Sequence, residues 1–380
     1  MQDELRWFEE IPASPAACLR QWQARGGQAV GCLPYYVPEE LIWSAGLLPV
    51  RLWGAATTAR RAGGWFPPYV CSLVQTDLEL ALGGVYQGLR AVVGAPVCDS
   101  LRCLSQNWRA AVPQLPLLTY SQPQNRATDY GKAFLAGEYR RLWGQLCALT
   151  DQAPEEARLR EAMGLYNRSR AQRRRFTALA GRRGRWVTAS ERCAVLKAAG
   201  FADPREYTDR LTALNDRLEA LPEGDGGRIP VVTSGILCDH PRILALLDEL
   251  GFFVAADDVA AESRSFAADA PEDGTDGCAA LAEQFAALDR DPLLWSGGTP
   301  GGFRPGDREV HLASLARRSG AKAVVILVQQ FCDPEELLSP GAKAAVEAAG
   351  IPCLLLPVDQ QVADPGQAAT LLETLRDLLE

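Results

Sequence analysis

Cysteine is the residue type in this 380-residue chain that is best suited to metal or redox chemistry. Eleven cysteines stand against only two histidines, so a His-rich zinc site and Ser-His-Asp hydrolysis are both disfavoured. A site built mainly of thiolates favours zinc or an iron–sulfur cluster. The sequence holds no CxxC pair and none of the local ferredoxin spacings, so any ligands must be gathered by the fold.

Four cysteines occupy positions that an open parallel sheet would bring together. Cys32, Cys98 and Cys332 each follow an apolar, strand-like segment, and Cys71 precedes a predicted helix. Ligands of such sheets bind beyond the carboxyl ends of the strands, so these four are the candidate metal ligands. A helix N-terminus also favours the thiolate form of Cys71. Position alone leaves scattered buried thiols and a structural zinc as alternatives.

Other polar residues near these positions carry open alternatives. Cys103 and Cys238 each lie near the end of a predicted strand and are able to approach the same site. Glu39 and Glu40 follow Cys32 at a predicted helix start. They are either acid–base groups or ordinary N-terminal helix charges stabilised by the helix dipole.

The elements that must position these residues alternate between strand and helix. Strands are predicted at residues 29–30, 50–53, 91–93, 115–119, 229–233, 252–254, 323–328 and 353–358. Helices are predicted at residues 39–45, 73–90, 241–250, 309–319, 341–349 and 368–379. Most of the strands are short and apolar on both faces, as in buried parallel sheets. The fold class is therefore α/β, with two doubly wound, Rossmann- or flavodoxin-like parallel-sheet domains.

A charged, helical stretch separates the two predicted sheets. The predicted organisation is an N-terminal α/β domain at 1–129 with Cys32, Cys71 and Cys98, a helical connector at 130–225, and a C-terminal α/β domain at 226–380 with Cys332. A Pro/Gly/Asp-rich break at residues 222–227 marks the second boundary.

Three charged or flexible segments have two interpretations each. The basic run of the connector, which includes Arg168, Arg170 and Arg173, is predicted to be a solvated helix face, with coenzyme A phosphates or an acidic partner as the alternative. The charged string 257–264 is either salt-bridged support for the site or a solvated loop. Residues 297–306 form either a phosphate-binding loop or a flexible surface loop.

Charge and hydropathy exclude two classes of partner. The formal net charge of −8 disfavours a general nucleic-acid binder. The charged N-terminus is unlike a signal peptide, and no apolar run approaches the roughly 20 residues that span a bilayer. We expect a cytoplasmic protein that binds neither nucleic acid nor membrane.

Longer strings around the candidate residues resemble one known family. Residues 31–41, Gly-Cys-Leu-Pro-Tyr-Tyr-Val-Pro-Glu-Glu-Leu, and residues 330–336, Gln-Phe-Cys-Asp-Pro-Glu-Glu, resemble the 2-hydroxyacyl-CoA dehydratase and benzoyl-CoA reductase family. Residues 97–102 and 255–266 extend the resemblance, which covers nearly the whole chain.

The resemblance implies a beta subunit that pairs with a related alpha subunit in an oxygen-sensitive heterodimer of anaerobic amino-acid fermentation. The family's cluster positions match Cys32, Cys71, Cys98 and Cys332, which implies a [4Fe-4S] cluster. An ATP-hydrolysing iron–sulfur activator would deliver one electron, and this cluster would relay it toward the alpha subunit, where the substrate binds. The acyl-CoA substrate, with 2-hydroxyglutaryl-CoA favoured, would pass through a ketyl radical, lose water and become an enoyl-CoA.

The absence of sequence motifs agrees with that division of labour. The chain has no GxxxxGK[ST] phosphate loop, so ATP chemistry is expected on another chain. It also lacks a GxGxxG motif after a strand, which disfavours a nicotinamide cofactor. A flavin, either FMN or riboflavin, is a further candidate cofactor. The alternative function is a self-standing homodimeric reductase with a double-cubane cluster, which six converging cysteines, with Cys103 and Cys238 added, would favour.

Overall fold

Two four-stranded parallel sheets form the framework of the computed structural model, which describes residues 1–288, 307–362 and 366–380. The first sheet has the order β2-β1-β3-β4 and the second has the order β6-β5-β7-β8. Their strands are β1 Gln28–Cys32, β2 Leu47–Arg51, β3 Leu89–Gly94, β4 Leu117–Thr119, β5 Ile229–Gly235, β6 Phe252–Val259, β7 Ala323–Gln329 and β8 Cys353–Val358. The predicted α/β class with two parallel sheets is confirmed.

Helices cover both faces of each sheet and fill the space between the sheets. In the first half of the chain they are α1 Gln2–Ala13, α2 Pro15–Ala24, α3 Glu39–Ser44, α4 Ser72–Leu82, α5 Asp99–Ala111, α6 Asp129–Ala148 and α7 Glu156–Gly181. In the second half they are α8 Ala189–Ala198, α9 Pro204–Glu219, α10 Pro241–Glu249, α11 Gly277–Ala286, α12 Asp307–Ser319, α13 Asp333–Ala348 and α14 Gly366–Leu379. Short 3-10 turns lie at Ala62–Gly64 and Ser263–Phe266.

The side-chain alternation of β1 divides the first domain into two cores. Val30 and Cys32 pack on the side of α6, together with α11, which follows the second sheet's β6 in sequence. Ala29 and the residue after the strand, Leu33, pack on the opposite side with α4 and α5. Because successive strand residues point to opposite faces, neighbours in sequence enter different cores.

The connector helices α6–α9 occupy residues 129–219, where no strand was predicted, and the structure places none in that interval. Helix α7 contacts α3 on one side and the edge strand β6 on the other. Gly181 ends α7 so close to β6 that a Cβ atom there would lie 2.0 Å from the Ala255 carbonyl oxygen. The absence of a side chain at this position therefore permits the close approach of helix and strand.

Strand β6 is longer than its apolar residues predict, since it continues through Asp257 and Asp258. Both carboxylates are buried, and each is paired: Asp257 with Arg192 and Asp258 with Arg264. Arg192 also pairs with Glu262, so one guanidinium of α8 forms ion pairs with two carboxylates. The interpretation of this charged string as salt-bridged support is therefore confirmed, and the solvated loop is wrong.

Direct hydrogen bonds join the two sheet domains. The Ser72 hydroxyl accepts from the Gln329 side-chain amide and from the Gln360 backbone amide, both at 2.9 Å. Ser72 begins α4, while Gln329 ends β7, so the bonds link the carboxyl edges of the two sheets. Residues 297–306, the predicted phosphate-binding or surface loop, lie outside the described residues. Among the described helices, none is both long and apolar enough to cross a bilayer.

We predict that Arg192→Met destabilises the protein by about 3–5 kcal/mol, because two buried carboxylates would lose their cation. Urea unfolding of the purified chain measures this change. Arg242→Met is the matched control: Arg242 pairs with Glu249 at 2.8 Å on the exposed face of α10, and its loss should cost less than about 1 kcal/mol. Equal costs for the two variants would contradict a supporting role for the buried pairs.

Candidate functional site

The candidate site lies in a crevice between the two sheets, at the edges formed by the carboxyl ends of their strands. In each sheet the strand order reverses between two neighbouring strands, β1 and β3 in the first and β5 and β7 in the second. The crevice is lined by residues that follow all four of these strands, namely Tyr35, Cys98, Ile236 and Cys332. Such reversal points are where open α/β sheets bind their ligands, and here two of them form one pocket.

Three cysteines line this crevice, and each is the N-cap residue of a helix. Cys71 precedes α4, Cys98 precedes α5 and Cys332 precedes α13. The first amides of a helix have no partner within the helix, so a side chain at the N-cap position accepts from them. The Cys98 sulfur accepts from the Leu101 amide at 3.5 Å. Within the described residues the Cys71 and Cys332 side chains make no such capping hydrogen bond, although the backbone amides of Val74 and Glu335 lower the pKa of these two thiols in part.

Burial controls the protonation of these thiols. It raises the pKa of Cys71 to about 11, although amides of α4 lower it in part. Burial likewise raises the pKa of Cys98 and of Cys332, and the neighbouring thiols of Cys71 and Cys98 raise the pKa of Cys332 further. The thiols are therefore neutral at pH 7, and metal coordination would have to displace their protons.

The donor set of this crevice is of the kind that an iron–sulfur cluster uses, because three thiols line one pocket. The pocket holds about 560 Å³ free of protein atoms, part of it open to solvent. Within the described residues no group of three or more His, Cys, Asp or Glu side chains is placed to hold a single metal ion. Helix N-termini on three sides would also favour the negative charge of a cluster.

A buried ion network anchors the segment that carries Cys332. Glu335, in the first turn of α13, accepts a hydrogen bond from Arg308 at 2.7 Å and lies 3.7 Å from Arg264. Arg264 donates to Asp258 at 2.8 Å, which ties the helix start to strand β6. All four side chains are buried, so the network fixes the start of α13 relative to the second sheet.

Cys32 occupies different surroundings from the other three candidate ligands. It ends β1 and points to the side of α6, whereas Leu33 points to the side of Cys71. It lines a second pocket with Glu39 and Arg51, and burial raises its pKa strongly, assisted by the charge of Glu39. The structure thus brings together Cys71, Cys98 and Cys332 and places Cys32 across the sheet.

The two ambiguous cysteines do not line the crevice either. Cys103 lies one turn further along α5, where its sulfur accepts from the Asn107 amide at 3.5 Å. Cys238 is buried beside Cys193 in the core of the second domain. The six-cysteine arrangement expected of a double-cubane cluster therefore has no counterpart among the described residues.

The glutamates that were weighed as acid–base groups are both held by arginines. Glu39 accepts from Arg51, with Oε2 at 3.1 Å, and buried Glu40 accepts from Arg170 at 2.6 Å. Both lie in the first turn of α3, as predicted. A catalytic role for either stays a prediction, and each is already engaged in an ion pair.

Comparison with known proteins agrees with this architecture. The family model described as "2-hydroxyglutaryl-CoA dehydratase, D-component" matches residues 34–379. The beta subunit of (R)-2-hydroxyglutaryl-CoA dehydratase from Acidaminococcus fermentans is 39% identical over 98% of both chains. The chain belongs to the 2-hydroxyglutaryl-CoA dehydratase D-component family. The resemblance inferred from residues 31–41 and 330–336 is thereby confirmed.

Other members of this dehydratase family match over a similar extent. The (R)-phenyllactyl-CoA dehydratase beta subunit of Clostridium sporogenes is 32% identical over 98% of this chain and 97% of its own. The beta subunit of lactoyl-CoA dehydratase from Anaerotignum propionicum is 31% identical over 99% and 98%. Nearly complete coverage shows that both sheet domains and the connector are shared.

Sequence reasoning placed Cys71 at the start of a helix but missed that Cys98 and Cys332 also occupy N-cap positions. A signal was present: Cys98 and Cys332 are each followed by aspartate, and Cys332 by Asp333-Pro334, the acidic and proline residues typical of a first helical turn. It also missed the second pocket, because the arginines that line it were predicted to be solvated. Arg168 is exposed as expected, but Arg170 and Arg173 are buried, so that interpretation is wrong for both.

A buried carboxyl on α4 makes the site's support sensitive to pH. Asp77 accepts from the Gly54 amide at 3.0 Å and the Tyr86 hydroxyl at 2.8 Å, and burial raises its pKa to about 7. The folded chain therefore keeps a proton that the unfolded chain loses near pH 4. Stability should fall as pH rises between these values.

We predict that the wild-type protein loses about 2–3 kcal/mol more stability between pH 5 and pH 8 than Asp77→Asn does, because the amide does not ionise. Urea unfolding at both pH values, without oxygen, measures the difference between the two proteins. Parallel pH dependence in the two would show that Asp77 ionises normally in the folded state.

Proposed function

We propose that this chain is the cluster-bearing beta subunit of a 2-hydroxyacyl-CoA dehydratase, a hydro-lyase that works as a heterodimer with a related alpha subunit. The observation that carries the proposal is the convergence of three capping cysteines in the crevice between the sheets. Family membership over residues 34–379 supports the reaction class. The relatives named as beta subunits support a partner subunit.

The cofactor we propose is one [4Fe-4S] cluster bound by Cys71, Cys98 and Cys332. When bound, the cluster would supply one-electron transfer, accepting an electron from an ATP-hydrolysing activator and passing it to the alpha subunit. Amides at the starts of α4, α5 and α13 would donate to the cysteine sulfurs and stabilise their negative charge. Cys32 was also a predicted ligand, but it lies on the other side of β1 from Cys71, so we propose that the fourth ligand of the cluster is a group other than Cys32.

The substrate class we propose is a 2-hydroxyacyl-CoA, with (R)-2-hydroxyglutaryl-CoA favoured. Relatives named for (R)-2-hydroxyglutaryl-CoA, (R)-phenyllactyl-CoA and lactoyl-CoA all match this chain over at least 97% of their length. These relatives are named for very different acyl groups, although their beta subunits are similar. This variety supports an acyl-binding pocket that is shaped by the partner subunit. The ion pairs of Glu39 and Glu40 also support acid–base chemistry on the alpha subunit.

A flavin remains a proposal with one candidate location. An apolar pocket with about 1190 Å³ of non-protein space lies between β2, α2 and α8, lined by Leu19, Leu52 and Phe201 among others. Its cations, Arg51 and Lys197, are paired with Glu39 and Asp239. These surroundings suit an uncharged ring system, so riboflavin fits this pocket better than the phosphate of FMN.

The electron donor should dock where the cysteine pocket meets the surface. Phe331 lines the pocket and is 44% exposed, and Asp99, on the same rim, has a side chain that is 93% exposed. Phe331 precedes Cys332 directly, so a partner that packs on this apolar side chain would lie next to the cysteine pocket. Because electron transfer slows steeply with distance, we propose that the activator covers this rim.

We predict that Cys71→Ser and Cys332→Ser lose most of their iron, whereas Cys32→Ser keeps it. Anaerobically purified wild-type protein should hold about four irons and four sulfides per chain. Metal analysis and visible spectroscopy provide the measurement, made on this chain after it is separated from the co-expressed alpha subunit without oxygen. An iron-free wild-type protein would refute the proposed cluster, and eight irons per chain would support the double-cubane reductase. Loss of iron in Cys32→Ser would identify Cys32 as a ligand.

We predict that Phe331→Glu slows ATP-dependent reduction by the activator at least tenfold, because a charge replaces an apolar contact. Reduction by dithionite should keep its rate and extent, since the cluster itself would be unchanged. Leu378→Glu, at an exposed position of α14 that does not line the pocket, is the matched control. Equal slowing by activator and by dithionite would place the defect in the cluster and not in docking.

A further inference from the structure

A second pocket lies across β1 from the cysteines, between α3, α6, α7 and α11. It contains about 760 Å³ of space free of protein atoms, part of it open to solvent. Its wall includes Cys32, Trp53 and, from α7, Tyr166 and Arg173. Trp53 also lines the cysteine crevice, so the two pockets share one wall. We call this second space the Arg173 pocket.

The charged side chains that line the Arg173 pocket do not balance. Arg51 is paired with Glu39, and Arg170 is paired with Glu40. Arg173 is the third arginine of the lining, and no carboxylate of the lining remains for it. One positive charge is therefore left over.

Arg173 itself is buried, and one of its donor groups is unsatisfied among the described residues. Its side chain is only 3% exposed, and in the described part of the chain its Nε–H has no acceptor. Its recorded contact is the ring of Phe266, whose centroid lies 5.1 Å from the guanidinium carbon. Burial, with the nearby charge of Arg51, lowers its pKa to about 10, so it stays charged at pH 7. An unpaired buried charge costs several kcal/mol, which an anion in the pocket would offset.

The rest of the lining indicates what kind of anion fits. Two tyrosines, Tyr139 and Tyr166, line the pocket, and a tyrosine hydroxyl is able to donate a hydrogen bond to an anion. The opposite wall is apolar, with Leu281 and Phe285 from α11 and with Leu33. A ligand with one charged end and one hydrocarbon end matches both walls.

We propose that the Arg173 pocket binds a small monocarboxylate with a short hydrocarbon tail. The carboxylate would pair with the Arg173 guanidinium and accept from the Tyr166 hydroxyl, while the tail packs on the apolar wall. The single surplus charge favours a monoanion, because Glu39 and Glu40 on the same wall would repel a second negative charge. This site is separate from the proposed cluster and does not depend on it.

The first test compares butyrate with its neutral analogue. Calorimetric titration of the anaerobically purified full-length chain should show saturable binding of butyrate and none of butyramide, at constant ionic strength. Inorganic phosphate, as a dianion of similar size, should bind at least tenfold more weakly. Equal responses to butyrate and butyramide, tighter binding of phosphate, or no butyrate binding would overturn the proposal.

The second test places the site at Arg173. Arg173→Met should weaken butyrate binding at least tenfold, and it should not lower the thermal midpoint in the absence of butyrate, since an unpaired charge is removed. Arg168→Met, at an exposed position of the same helix, should bind butyrate like the wild type. If Arg173→Met does not fold, Tyr166→Phe should still bind several-fold more weakly. Wild-type affinity in a folded Arg173→Met would overturn the proposal.

Discussion

The starts of three helices meet in one crevice, and this meeting is the constraint on which the rest of the site depends. Each helix begins with unpaired amides and has a cysteine at its N-cap position, and the Cys98 sulfur accepts from the Leu101 amide. Amides at a helix start favour the thiolate form, but burial has the opposite effect and raises the pKa of Cys71 to about 11. The balance keeps the thiols protonated until a metal replaces the proton, so a cluster and the crevice would stabilise each other.

Two buried features hold that crevice in place. On the side of the second sheet, Glu335 at the start of α13 is tied through Arg264 and Arg308 to strand β6. On the side of the first sheet, the hydroxyl of Ser72 accepts from Gln329, the last residue of β7, and from Gln360, which follows β8. Buried ion pairs are costly to break, so these contacts specify one relative placement of the cysteines.

The end of strand β1 separates two kinds of chemistry over a short distance. Cys32 lines the Arg173 pocket, whereas Pro34 and Tyr35, which follow it closely in sequence, line the cysteine crevice. Trp53 stands between the two spaces and contributes to both walls. The Arg173 pocket is charged and the cysteine crevice is thiol-rich. A single strand end therefore serves two sites with different electrostatic requirements.

By itself, the sequence determined the fold class, the approximate positions of the eight strands, the family, and three of the cysteines that lie together. These features are encoded in apolar runs and short motifs, which extend over only a few neighbouring residues. Only the tertiary structure decided that β6 continues through Asp257, that Arg173 is buried and that Cys32 lies apart. Charges look solvated in a sequence, since their partners are distant along the chain: Arg192 lies 65 residues from Asp257. The side of β1 to which Cys32 points depends on strand register, which is fixed when the sheet packs against its helices.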